Sequence, residues 1–169
     1  LVIKVSGGEL QIGRRNDWEN LWQGSPDEGA VIHVSLPSLA GVQLTGSGDI
    51  DVDTVAGDRI DLGLTGSGDM DVKAVKVGQL EADVTGSGSI TLAGAARQAG
   101  LSTTGSGDIE ASAFKADTAK ASVLGSGGIA FASDGVVDGR ILGSGDIDVK
   151  GKAQCKSSAM GSGELRCGA

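Results

Sequence analysis

The chain has 169 residues, of which 39% are apolar and 30 are glycine; it holds two Pro, two Phe, two Trp and no Tyr. That length admits one domain with a real core, but the core must be built from small aliphatic side chains, and collagen is excluded because it needs abundant proline and glycine at every third position. A net charge of −8 repels phosphate backbones and anionic membrane surfaces, and no apolar run approaches the ~20 residues of a membrane span, so neither nucleic-acid binding nor direct membrane insertion is expected of this segment.

Residues 1–41 are irregular. Ser6-Gly7-Gly8-Glu9-Leu10-Gln11-Ile12 reads as a decayed copy of a repeat that becomes regular later, with Leu10 and Ile12 on the inward face. Asn16 to Asp27 departs from the pattern and holds Trp18 and Trp22, whose spacing suits one face of a short helix or turn. An exposed Trp pair could stack on a sugar ring, but a cap shielding the first coil is the better expectation, since terminal repeats must cover an apolar end. Val31-Ile32-His33-Val34-Ser35-Leu36 reads as a strand leading into the repeat.

From residue 42 the chain is periodic. Gly-Ser-Gly begins at Gly46, Gly66, Gly86, Gly105, Gly125, Gly143 and Gly161, in steps of 20, 20, 19, 20, 18 and 18 residues. Two residues after each triplet stand Ile50, Met70, Ile90, Ile109, Ile129, Ile147 and Leu165; two further on stand Val52, Val72, Leu92, Ala111, Phe131, Val149 and Cys167. The residues between them are mostly polar, which is the period-2 signature of a strand with one buried face. Upstream, Leu44, Leu64, Val84, Thr103, Val123, Ile141 and Ala159 form another inward column, and Val55, Val75, Ala95 and Phe114 suggest a third segment.

One coil of this length cannot bury its own apolar face, whereas parallel stacking at about 4.8 Å buries a continuous column. Helical repeats fail, because the 3.6 period is absent and this density of glycine would break each helix. The expected fold is therefore all-β: a single-domain right-handed parallel β-helix, or β-solenoid, with coils of about 18–20 residues. The hand is taken from the chirality of parallel connections. Residues 1–41 supply N-terminal coils and a cap, and residues 42–169 the regular coils. The triplet reads as a bend, and its serine column as hydroxyls that bond up the stack or to neighbouring backbone. A nucleophile needs one special serine beside a base, not seven equal copies.

Cys155 and Cys167 both fall in the last coil, where they admit a disulfide or serve as two small buried hydrophobes. The last strand edge must be capped or paired, which leaves oligomerisation through the solenoid ends open.

The surface feature that stands out is an acidic ladder of Asp49, Asp51, Asp69, Asp71, Asp108, Glu110, Asp146 and Asp148. It is the candidate interaction surface. Carboxylates one strand spacing apart can share Ca²⁺, but Ser89, Thr91, Gly128 and Ala130 break the ladder, and a solvated negative face accounts for it better. No metal or other cofactor is assigned. On this register Ile109 is buried in mid-stack, so Ile109→Asp prevents folding, and Asp108→Lys is nearly silent.

The recurring hydrophobic–Thr–Gly–Ser–Gly–Asp–Ile–Asp–Val pattern at 45–52, 65–72, 104–109 and 143–149, with the lead-in Val31 to Leu39, resembles the head GIN domain of bacterial auto-transporter adhesins. The resemblance implies a β-solenoid in a periplasmic, outer-membrane-associated or secreted bacterial protein, with no catalytic residues to carry over. The expected function is a non-catalytic scaffold of the cell envelope that meets a cell-surface protein or glycan. The alternative is a polysaccharide-active or polysaccharide-binding β-helix protein, lyase- or hydrolase-like. That reading is weak, because the acids are the repeat itself and Arg97, Lys120 and Arg140 fall at unrelated column positions.

Overall fold

A computed structural model describes residues 2–13 and 31–168. The chain divides into two compact units, 1–35 and 36–169. The Trp18 and Trp22 cap, within Asn16 to Asp27, lies outside the described residues.

In the first unit β1 (Val2–Ser6) pairs with β2 (Glu9–Gly13) antiparallel, from Ser6 opposite Glu9 to Val2 opposite Gly13. Ser6 to Ile12 is thus a hairpin and not a decayed coil. The reason is local. Gly7 and Gly8 are adjacent and both left-handed, at φ +59° and +83°, so they close a two-residue turn that folds the chain back on itself. Leu10 is half-buried and Ile12 exposed. The expected strand over Val31–Leu36 is also absent. No ladder among the described residues includes it, Val31 is exposed, and Pro37 removes a donor at its end.

The second unit is a β-solenoid. Its strands are β3 (Gly41–Gly46), β4 (Ile50–Val52), β5 (Val55–Gly66), β6 (Asp69–Gly86), β7 (Ser89–Gly105), β8 (Asp108–Gly125), β9 (Ile129–Ser133), β10 (Val136–Gly143), β11 (Ile147–Lys150), β12 (Gln154–Gly161) and β13 (Leu165–Cys167). Every ladder among them is parallel, and each joins one coil to the next. The inward columns predicted from alternation are the core: Leu62, Leu64, Met70, Val72, Ile90, Leu92, Leu101, Ile109, Ile141, Ile147 and Val149 are all buried, and Ile60 and Leu80, which no predicted column held, are buried with them. Each such side chain contributes roughly 1.5–3 kcal/mol by leaving water.

The third column differs by one residue from the expected one. Gly94, not Ala95, stands between Val75 and Phe114; Ala95 is exposed and Ala96 is buried in its place. The 19-residue step causes this. Lys73 and Ala74 lie between Val72 and Val75, but Ala93 alone lies between Leu92 and Gly94, so the register slips at that corner. Gly94 has φ +124°, and a Cβ there would run into the Val75 backbone. Where coils shorten to 18 residues the corner before the third segment is cut short. Ala111 pairs with Phe131 and Lys115 with Ala132, so Phe114 has no counterpart, and Phe131 and Phe114 are the bulkiest fully buried side chains.

The triplet is a corner with a division of labour. Its first glycine has φ between +116° at Gly105 and +135° at Gly143, which a side chain tolerates poorly. That glycine's carbonyl accepts the serine N–H of the next coil, as Ser67 to Gly46 at 2.9 Å and Ser126 to Gly105 at 2.8 Å. From Gly88 onward the third glycine's N–H reaches the same carbonyl, as Gly107 to Gly86 at 3.0 Å. This close approach is why the third position is also glycine: a Cβ on Gly88 would strike the Gly68 carbonyl and the Leu64 side chain. The serine column bonds up the stack through its backbone N–H groups, and its side chains are exposed. The expected hydroxyl ladder is thus replaced by a backbone one.

Candidate interaction surface

The eight acids of the ladder fall into two outward columns on the strands that follow the corner, flanking the column of half-buried Ile50 and buried Met70, Ile109 and Ile147. The first column has structural work. Asp49 Oδ1 accepts the Asp69 N–H at 3.2 Å, Asp69 Oδ1 the Ser89 N–H at 3.2 Å, Asp108 Oδ1 the Gly128 N–H at 2.6 Å, and Asp146 Oδ1 the Glu164 N–H at 2.9 Å. Just past the bend the carboxylate replaces a main-chain acceptor from the coil below. Ser89 tests the rule within the molecule. It has no carboxylate, and the Asp108 N–H above it bonds instead to the Gly88 carbonyl at 3.2 Å. Asp108 is therefore not a free surface charge, and the expectation that its replacement is silent is corrected.

The second column, Asp51, Asp71, Glu110 and Asp148, has no such role and ends on Arg166. That guanidinium reaches Asp148 at 3.1 Å, Asp146 at 3.1 Å and Glu164 at 3.3 Å. The three carboxylates raise the Arg166 pKa, the Asp148 charge most. Elsewhere Lys73 pairs with Asp53, and Lys115 with Asp134. The Lys115 bond, followed by the Lys152 N–H, holds the Asp134 carboxyl below its ordinary value.

Gly128 and Ala130 leave a shallow notch of ≈120 Å³ in this face, bordered by Asp108 and Glu110 on one coil and Asp146 and Asp148 two coils away. Among the described residues no three His, Cys, Asp or Glu side chains are gathered to hold a metal ion. No described helix is long and apolar enough to cross a membrane.

Cys155 and Cys167 come together as a disulfide, with Cα atoms 6.4 Å apart. Cys155 stacks on Val137 and Cys167 on Val149, so the bridge spans the end of the core. Beside it Leu165 projects into the space above Gly139, where a Cβ would collide with it. The last coil is thus closed by a side chain and a crosslink.

One outward column was missed by pattern reading. The residue before each triplet is Thr45, Thr65, Thr85 and Thr104, then Leu124, Leu142 and Met160, in unbroken register. The last three are exposed by 45%, 46% and 69%, forming an apolar stripe on the final coils. The change from Thr to Leu and Met was its signal in the sequence.

The sequence matches a family model described as "Putative auto-transporter adhesin, head GIN domain" over residues 1–153. No protein of curated function matches it. Among solved structures it is similar to a "putative adhesin" of Bacteroides fragilis NCTC 9343, with 28% identity, a TM-score of 0.70 and coverage of 78% of this chain and 61% of that one. A "putative adhesin" of Parabacteroides merdae ATCC 43184 gives 25%, 0.67, 76% and 63%, and a "putative lipid binding protein" of Parabacteroides distasonis ATCC 8503 gives 26%, 0.61, 77% and 58% in the same order. The chain thus spans less than two thirds of the length of each.

Proposed function

The chain belongs to the head GIN domain family of auto-transporter adhesins, and from that premise we propose that it is a non-catalytic display scaffold of the bacterial cell surface or of a secreted protein. The observation that carries this reading is the family match over residues 1–153, joined to the likeness to the "putative adhesin" structures of Bacteroides and Parabacteroides. The architecture supports it. A stack of parallel coils with straight outward columns presents long, stiff faces on which a protein or glycan can be bound at many equivalent points. The roles of the acids support it too. Asp108 and Asp146 are engaged on backbone N–H groups and Arg166 holds Asp148, so three of the four carboxylates around the notch serve the stack.

The crosslink across the last coil favours an oxidising compartment, periplasmic, outer-membrane-associated or extracellular. Alkylation without reductant should leave Cys155 and Cys167 unmodified in protein recovered from its native host. Two reactive thiols would overturn that assignment.

The test of function is direct. Cells displaying the chain should bind host matrix proteins or a glycan array, and deletion should lower adherence. Cleavage of polyuronates, lost on alanine substitution at one carboxylate pair, would replace this reading with a carbohydrate-active enzyme.

A further inference from the structure

The strands that precede the corner carry a second outward face, and its charge is divided along the stack. Asp61, Glu81 and Asp83 lie on the early coils, where Arg59 pairs with Asp61 at 2.8 Å, and Lys120, Arg140 and Lys156 lie on the late ones with Asp138 among them, so the early half is net acidic and the late half net basic. The columns run straight: Asp61, Glu81, Gly100, Lys120, Asp138, Lys156 in one, and Gly63, Asp83, Ser102, Ser122, Arg140, Ser158 beside it. Next to the basic half stands the exposed stripe of Leu124, Leu142 and Met160.

We propose that this face is the contact between two copies of the chain, packed antiparallel about a two-fold axis that runs along the strands between the Gly100 and Lys120 coils. That operation sets Asp61 against Lys156 of the second copy and Asp83 against Arg140. It sets Leu124 and Leu142 against the Thr104 and Thr85 methyl groups. Glu81 would then oppose Asp138, but its side chain leans away. A carboxylate oxygen of Glu81 occupies the space that a Cβ on Gly100 would fill, so its charge is presented one coil further on, opposite Lys120. Within one copy partial desolvation raises the Asp83 carboxyl, and the Glu81 and Asp61 charges raise it further, against a hydrogen bond from Ser102.

A membrane is the weaker occupant, although Leu, Met and Lys together suit a lipid surface. The acidic half lies on the same face and would be pressed onto the headgroups with it. The face is also small. Six strand spacings by four residues give about 400 Å² per copy, which belongs to weak, transient contacts. The association does not depend on the adhesive reading.

Sedimentation of the whole chain from about 10 µM to about 1 mM should show a reversible dimer that weakens as salt rises. Asp83→Arg alone and Arg140→Asp alone should each weaken it about tenfold or more, with unchanged circular dichroism, since both side chains are exposed. An equimolar mixture of the two variants should restore it, because in the mixed dimer both crossed pairs regain opposite charge. A monomer at every concentration would overturn the proposal. So would a dimer indifferent to both variants, or two weakened variants that fail to associate when mixed. Monomeric protein that instead binds phosphatidylglycerol vesicles, and loses that binding on Leu142→Glu, would assign the face to a membrane.

Discussion

The Asp108 carboxylate is tied to the Gly128 backbone of the next coil, accepting its N–H at 2.6 Å in a half-buried corner. Removing it leaves a main-chain donor without its acceptor. Asp108→Ala should cost about 1–2 kcal/mol in urea unfolding, whereas Glu110→Ala, which loses no hydrogen bond, should stay within about 0.5 kcal/mol. Equal effects would show that the two acidic columns have one role.

The first glycine of the triplet answers two constraints that the first coil separates. Gly46 has φ +121° but open space where a Cβ would stand, while Gly86 has φ +123° and the Gly66 carbonyl in that space. Gly46→Ala should therefore cost only backbone strain, about 1–2 kcal/mol, and Gly86→Ala several kcal/mol or the fold itself. Thermal melts of the two variants make the comparison.

Thr103 sits in an otherwise apolar inward column, and its buried hydroxyl has no hydrogen-bond partner among the described residues. Thr103→Val keeps the shape and removes the unpaired group. It should stabilise the protein by about 1 kcal/mol in denaturant unfolding. Destabilisation would reveal a partner for that hydroxyl.

Asp83 sets a pH dependence of known sign. Burial, then the Glu81 and Asp61 charges, raise its carboxyl above the ordinary value against a hydrogen bond from Ser102. The folded chain then binds the proton more tightly than the unfolded one. This group's contribution to stability grows as pH falls from the folded value toward the unfolded one, and is lost as pH rises. Asp83→Asn in dilute, monomeric protein should raise Tm at pH 7 by about 1–3 °C, discounted for exposure, and flatten that gain on acidification. Asp134, held low first by Lys115, acts in the opposite sense and is untouched by the variant.

The repeat, the inward columns and the all-β parallel stack were legible from the chain alone. Period-2 alternation fixes which face of each strand is buried, and a spacing near twenty residues fixes which residues stack, so Ile50 through Leu165 could be aligned without coordinates. Tertiary structure decided what depends on the neighbouring coil. A step of 19 residues shows that one is missing but not at which corner, and only the ladder puts Gly94 beside Val75. Gly7-Gly8 resembles a triplet in letters, yet two adjacent left-handed glycines make a hairpin. The ladder of acids was plain in the sequence, but its division into Asp108-like caps and Glu110-like surface charges was not, because a cap is defined by the N–H that the next coil brings within reach. The outward Leu124, Leu142 and Met160 gained meaning in the same way: their exposure and the charges beside them exist only once the coils are stacked.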